Sequence, residues 1–230
     1  MKPSGFMGGL YVVSEWIMRF SLVNLQWVVF NLPIALLLIS MLYVEKTEDL
    51  FYLAVPLILL VPVLFFPATT AMFAKTREWV REAEEERESR KYVSYYKENY
   101  MTSLLAGFVF VALWGVWLAD IYYFSDRNQV IMNLFVVMGI LLFIFTVNFF
   151  SVSAHYNMKL RGLLRQAFFI TVGSPLLFLA VSVTSGIVLY ISLYVFPIII
   201  PLFSGSLLAF LAFSAFYRLY LKIIAKKLNP

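Results

Sequence analysis

Between Leu50 and Ala74, between Met101 and Ala119, and again between Ala167 and Tyr217, the chain carries no charged side chain. A helix needs about 20 mostly apolar residues to cross the hydrocarbon core of a bilayer, so runs of this length dictate a chain that crosses more than once. The composition agrees, with 62% hydrophobic and 13% charged residues against roughly a quarter charged in a soluble domain. A water-soluble enzyme, a nucleic-acid binder and a secreted domain are excluded as readings of the whole chain. The sequence contains no cysteine, so neither a disulfide framework nor a thiolate metal centre is available.

Six apolar segments predict one all-α membrane domain over residues 1–230, a polytopic helical bundle. The expected transmembrane helices are 21–44, 50–74, 102–120, 130–153, 167–192 and 194–221. The last two are separated only by the neighbourhood of Ile191–Val195, with Pro197 marking the restart. Positive charge sets the orientation. Lys2 and Arg19 precede the first segment. Lys75, Arg77, Arg81, Arg87, Arg90, Lys91 and Lys97 lie between the second and third. Lys159, Arg161 and Arg165 lie between the fourth and fifth, and Arg218, Lys222, Lys226 and Lys227 close the chain. Sixteen of the 18 basic residues thus share one side, leaving only Lys46 and Arg127 on the other. The positive-inside rule then places both termini in the cytoplasm of a multi-pass protein of the bacterial cell membrane. Residues 1–20 hold Glu15 and Arg19 and no short apolar core ahead of a cleavage site, so the first segment is expected to be retained. Gly8–Phe20 reads as an interfacial lead-in with Trp16 at headgroup level.

The longest polar stretch, residues 75–100, is expected to form a charged helical projection into the cytoplasm. Arg81 with Glu85 and Glu86 with Arg90 pair opposite charges at i, i+4, while Arg87 and Lys91 oppose like ones. Tyr92, Tyr96 and Tyr100 follow on one helical face. They suit either an aromatic belt or a surface that meets a partner.

Inside the membrane the sequence is notable for what it omits. No expected span holds Asp, Glu, Lys or Arg near its centre, where ion-coupled carriers keep protonatable groups. No nucleotide-binding P-loop sequence is present. Neither paired carboxylates nor a nucleophile–base set can be assembled, so no enzyme activity, catalytic residue, metal or cofactor is expected. The polar residues that remain are candidates for contact with a substrate or partner. Asn24 and Asn31 share a face of the first span, and their amides must find hydrogen bonds across to another span. Pro67 beside Thr69 and Thr70 marks either a packed kink or a broken helix lining a path. His155, alone of its kind, sits at the cytoplasmic end of the fourth span. Trp114, Trp117 and Asp120 gather at the outer end of the third, as an aromatic belt or as a platform for a sugar ring. Small residues Ser103, Gly107, Gly115 and Ala119 in the third span, and Gly205, Ala209 and Ala212 in the sixth, invite close helix approach.

Several of these segments resemble the YesL-like family of bacterial integral membrane proteins, a family of unknown function. They are Ser14-Glu15-Trp16-Ile17-Met18-Arg19 with Val23-Asn24-Leu25-Gln26-Trp27, and Phe66-Pro67-Ala68-Thr69-Thr70-Ala71-Met72-Phe73-Ala74 followed by Arg77 and Trp79. Tyr95-Tyr96-Lys97-Glu98-Asn99-Tyr100, Ser153-Ala154-His155-Tyr156 and Ala167-Phe168-Phe169 extend the likeness over most of the chain. The acidic run 82–88 departs from the shorter loop of that family. Members of the family are found beside genes for oligosaccharide uptake by ABC transporters, and the resemblance implies a role in sugar import. The expected function is a non-catalytic accessory subunit of a carbohydrate ABC uptake system, touching the lipid bilayer and ABC permease subunits and no nucleic acid. A stand-alone carrier or substrate-capturing protein for a sugar, and a membrane-bound regulator acting through residues 75–100, are the alternatives. The sequence leaves the oligomeric state open.

Overall fold

A computed structural model describes residues 6–81, 89–125 and 127–228, and among them the secondary structure is helical with no strand. The helices are α1 (Phe6–Phe30), α2 (Leu32–Leu42), α3 (Thr47–Leu60), α4 (Phe66–Arg81), α5 (Tyr92–Glu98), α6 (Tyr100–Phe124), α7 (Gln129–His155), α8 (Leu160–Gly173), α9 (Pro175–Tyr190) and α10 (Gly205–Leu228). Among the described residues five stretches are long and apolar enough to cross a bilayer: Glu48–Arg81, Tyr100–Phe124, Gln129–His155, Pro175–Val195 and Ile200–Lys226. A sixth crossing is available if α1 and α2, bent by 71° at Asn31, act as one span. The protein is a polytopic helical membrane bundle of five to six crossings.

Proline shapes these helices in a recurring way. A proline in a helix cannot donate to the carbonyl four residues back and its ring collides with it. Ahead of Phe66-Pro67 the helix widens into a π turn over Val61–Phe65, and the Phe66 N–H reaches the Val61 carbonyl five residues back. Ahead of Phe196-Pro197 a second π turn covers Ile191–Val195, with the Phe196 N–H on the Ile191 carbonyl at 2.8 Å. The first helix continues past its proline, whereas the second stops. A third wide turn, Ile200–Ser204, carries Pro201 and leads into α10. Such turns absorb an extra residue without leaving the helical path.

Several expectations need correction. The segment 21–44 is not one straight span, because the chain bends at Asn31 and Pro33 opens α2. The residues read as an interfacial lead-in are continuous with α1, and Trp16 packs inward against Phe20, Trp79 and Phe210 with ring centroids 5.4 to 6.2 Å apart. The uncharged run 167–192 straddles two helices, with α8 ending at Gly173 and α9 restarting at Pro175 through an extended Ser174. Pro67 breaks nothing itself, since α4 runs through it and the irregularity lies one turn earlier.

Burial is uneven along the helices. The tight core joins the Pro67–Trp79 part of α4, Ser103–Phe110 of α6, Ile144–Ala154 of α7 and Ser206–Tyr217 of α10. Phe66, Phe73, Phe110, Phe149 and Phe150 interlock there. The opposite halves are loose, with Phe51, Tyr52, Val116, Tyr122, Val130, Val137 and Tyr194 all largely exposed. The tight half is the one that carries the basic residues, and it is called the basic end below.

Candidate functional site

Helix α5 turns back on the end of α4 and is fastened there by side chains of both. Glu78 is the hub. Its carboxylate accepts from Lys75 Nζ at 2.6 Å, from the Arg90 backbone N–H at 3.1 Å and from the Tyr95 hydroxyl. Lys75 Nζ also donates to Ser89 Oγ and to the Arg90 carbonyl, both at 2.6 Å. Two to three turns back along α4, the Tyr92 hydroxyl donates to the Ala68 carbonyl at 2.6 Å. Arg90 bonds Glu98, Arg90 and Arg77 both lie over the Tyr95 ring, and Arg77 donates to the Ala154 carbonyl at the end of α7. That last contact sets a cation at a helix C-terminus, where the macrodipole favours it. Burial pushes the Tyr92 phenol well above the ordinary tyrosine range. Burial, followed by the hydrogen bond to Glu78, raises Tyr95 as well.

Between α1 and this hairpin lies a cavity of about 530 Å³. Arg19, Leu22, Val23 and Gln26 of α1 form one wall, α4 from Lys75 to Arg81 forms the floor, and Ser89–Val93 with Tyr95 form the other wall. The stretch 75–100 is therefore not a free projection where it is described. Both of its ends are folded against the bundle, and Tyr92 and Tyr95 belong to the core. The ion pairs expected within residues 82–88 lie outside the described residues.

The other candidates fall into two groups. Some tie helices together. Asn24 is fully buried and inserts its amide between α1 and the wide turn before α10, donating to the Ile200 and Pro201 carbonyls and accepting from the Ser206 N–H. Thr69 accepts from the Trp27 indole at 3.0 Å, and Thr70 accepts from Ser103 Oγ at 2.9 Å. Trp117 donates to the Phe135 carbonyl at 2.7 Å while its ring covers Gly139, and Trp114 donates to Thr146 Oγ1 at 3.3 Å. Both indole N–H groups are thus engaged between α6 and α7. Asp120 is half-buried near that end of α6. Asn31 donates back to the Trp27 carbonyl at the bend. His155 sits among Tyr156, Phe216 and Tyr220, and its Nδ1 is buried with no hydrogen-bond partner.

The tyrosines divide. Tyr92 points inward, Tyr96 stacks on Phe30 at 4.4 Å, and Tyr100 touches Tyr96 across the break at Asn99. The three expected on one face are linked through their rings, Tyr92 and Tyr96 each on Phe30 and Tyr96 on Tyr100, and run from buried to half-buried. Tyr95, Glu78, Lys75 and Arg90 are what reading by helical face overlooked. The available signal was Glu78, a carboxylate set among Lys75, Arg77 and Arg81. Among the described residues no three His, Asp or Glu side chains gather closely enough to hold a metal ion.

Comparison with known proteins adds relatives without an assigned activity. Residues 20–121 match a family described as "Protein of unknown function, DUF624". This match takes in α1 from Phe20, both ends of the hairpin and most of α6. The uncharacterized protein YesL of Bacillus subtilis is 26% identical over 90% of each chain. The uncharacterized protein YteU of the same organism is 25% identical over 97% of this chain and 90% of its own. The uncharacterized protein YesV is 28% identical over 66% of this chain and 76% of its own. No solved structure matches significantly. With the DUF624 segment forming the hairpin and its wall, and with similarity to YesL and YteU running nearly end to end, the chain resembles the YesL-like proteins.

Proposed function

We propose that the protein is a non-catalytic accessory subunit, embedded in the bacterial cell membrane with both termini in the cytoplasm, that works beside the permease of a carbohydrate ABC uptake system. The reading rests on the resemblance to the YesL-like family and on one structural observation. Five of the polar or indole side chains of the spans join helices to each other: Asn24 at α10, Thr69 and Thr70 at α1 and α6, and Trp114 and Trp117 at α7. A conduit for a sugar needs such groups turned toward a passage. Here the cavity with polar lining lies at the basic end, beside α4 and α5. A helper that meets its partners through the cytoplasmic side fits this arrangement better than a carrier does.

Gentle extraction from native membranes decides the matter. The permease subunits should co-purify with the tagged protein, and deleting the partner's gene should remove the sugar-uptake phenotype of overproducing this chain. Sugar accumulation in liposomes holding this chain alone would replace the accessory reading with a carrier.

A further inference from the structure

Beyond Asp126 the chain holds no acidic residue, while it still carries eight basic ones. Three of these, Lys159, Arg161 and Arg165, lie at the start of α8 and are exposed. Helix α8 packs chiefly against α7, α9 and α6. Of these neighbours α7 and α9 contain no acid, and the one carboxylate of α6, Asp120, lies near the end of that helix away from the basic end. Among the described residues Arg161 and Arg165 make no ion pair and no side-chain hydrogen bond. The Arg165 guanidinium lies over the Phe169 ring, 5.6 Å from its centre. Two guanidinium groups one turn apart, with their N–H donors uncommitted, suit an anion with several acceptor oxygens, a phosphate above all.

The remainder of α8 tells which molecule carries that phosphate. Arg161, Arg165, Phe168 and Val172 follow at spacings of four, three and four, an exposed stripe that is basic in its first half and apolar in its second. At the apolar end Thr171 accepts from the Asn148 amide at 3.0 Å. Asn148 lies seven residues before the end of α7, about 10 Å along that span. The stripe therefore runs from headgroup level into the hydrocarbon. Alongside it lies a groove of about 360 Å³, lined by Met158, Gly162, Arg165, Gln166, Phe169 and Ile170. An anion joined to hydrocarbon in that order is a lipid, whereas a soluble anion would leave the apolar end of the groove empty. Basic sites between helices at the charged face of a membrane protein are where anionic lipid heads are held. We propose that this side of α8 holds an anionic phospholipid, its phosphate on Arg161 and Arg165 and an acyl chain in the groove beside Phe169 and Ile170. The proposal is independent of any association with a permease.

The test uses the full-length protein purified in mild detergent, with native mass spectrometry reading retention of phosphatidylglycerol against phosphatidylcholine. The unaltered protein should retain phosphatidylglycerol preferentially, and equal retention of the two overturns the proposal. Arg161→Gln together with Arg165→Gln should weaken that retention about tenfold, the scale of a lost charged hydrogen bond. Both positions are exposed, so the thermal midpoint should hold. Lys222→Gln together with Lys226→Gln, exposed on α10, removes the same charge elsewhere and should leave retention unchanged. Equal losses in the two double variants would mean general surface attraction and would sink the idea. Gly162→Leu alters no charge. A Cβ there stands at ordinary contact distance, 3.6 Å from the Met158 Cβ, so the fold is kept while the longer side chain fills the groove. It should lower retention severalfold, and undiminished retention also overturns the proposal. The chain between Arg81 and Ser89 carries five glutamates, and replacing them by glutamine should leave retention as it is. If retention arises only in that variant, the acidic run already occupies the arginines and the proposal fails.

Discussion

Asn24 replaces a missing rung of a helix. The Pro201 carbonyl and the Ser206 N–H stand five residues apart, and the Asn24 amide bridges them by donating to one and accepting from the other. Gly205 leaves the room for this, since a Cβ there would stand 3.0 Å from Asn24 Oδ1. Asn24→Leu strands these backbone groups and should cost about 2 kcal/mol, read as a lower thermal midpoint in detergent with helix content retained. Gly107 works by closeness alone. A Cβ on it would lie 2.6 Å from the Pro62 backbone Cα, so Gly107→Val should force α6 away from the wide turn and destabilise by about 1–3 kcal/mol, whereas Gly115→Val, with nothing within 4 Å, should be neutral. The sequence announced that the Asn24 amide needs a partner on another span. It did not name the partner, because the acceptor exists only after Pro201 has widened the helix. Trp114 and Trp117 show the opposite difficulty. An indole at a membrane boundary and an indole bonded to a neighbouring helix have the same spacing in a sequence, and only the third dimension separates them.

The hairpin α4–α5 was the element least legible in advance. Its charges read as solvated because most charged runs are, and the tyrosine stripe was drawn on a helix that continues from 92 to 100. Asn99 ends that helix after seven residues, and within it Tyr92 and Tyr95, three apart, face the core together. The break at Gly173-Ser174-Pro175 was masked by a long uncharged run, although a glycine and a proline flank it. Neither Tyr92 nor Tyr95 can ionise while the hairpin is closed until the pH exceeds the ordinary tyrosine range. In an opened hairpin both lose their protons near pH 10. Since the closed-state values are the higher ones, the clamp is fully present below about pH 10 and is lost as the pH climbs through the raised values. Tyrosinate absorbance should show a late-ionising group of phenols that includes Tyr92 and Tyr95, smaller by one in Tyr95→Phe. That variant should also speed hydrogen exchange over residues 89–98 with little change in the spans.

At the scale of the whole molecule, the distribution of basic residues gives an orientation that the absence of cysteine makes simple to check. Single cysteines at Tyr43 or Ser125 should react with a membrane-impermeant maleimide on intact cells, and cysteines at Lys91 or Lys159 only after permeabilisation. Reaction in the reverse order would invert the protein and move the basic cavity to the outside. Helical membrane character was legible because uncharged length is a sufficient signal for it, whereas the described residues give five to six crossings rather than a fixed six. The bend at Asn31 was not legible. Asn31 and Pro33 show that the first segment can turn, but not that it turns by 71°.

The helices bury large side chains along one half of their length, while along the other most large apolar side chains face outward and α6 and α7 meet through Trp117 on Gly139 and Phe124 on Phe135. In a bilayer those outward side chains stand against acyl chains, so a change in bilayer thickness should be felt first along the open half.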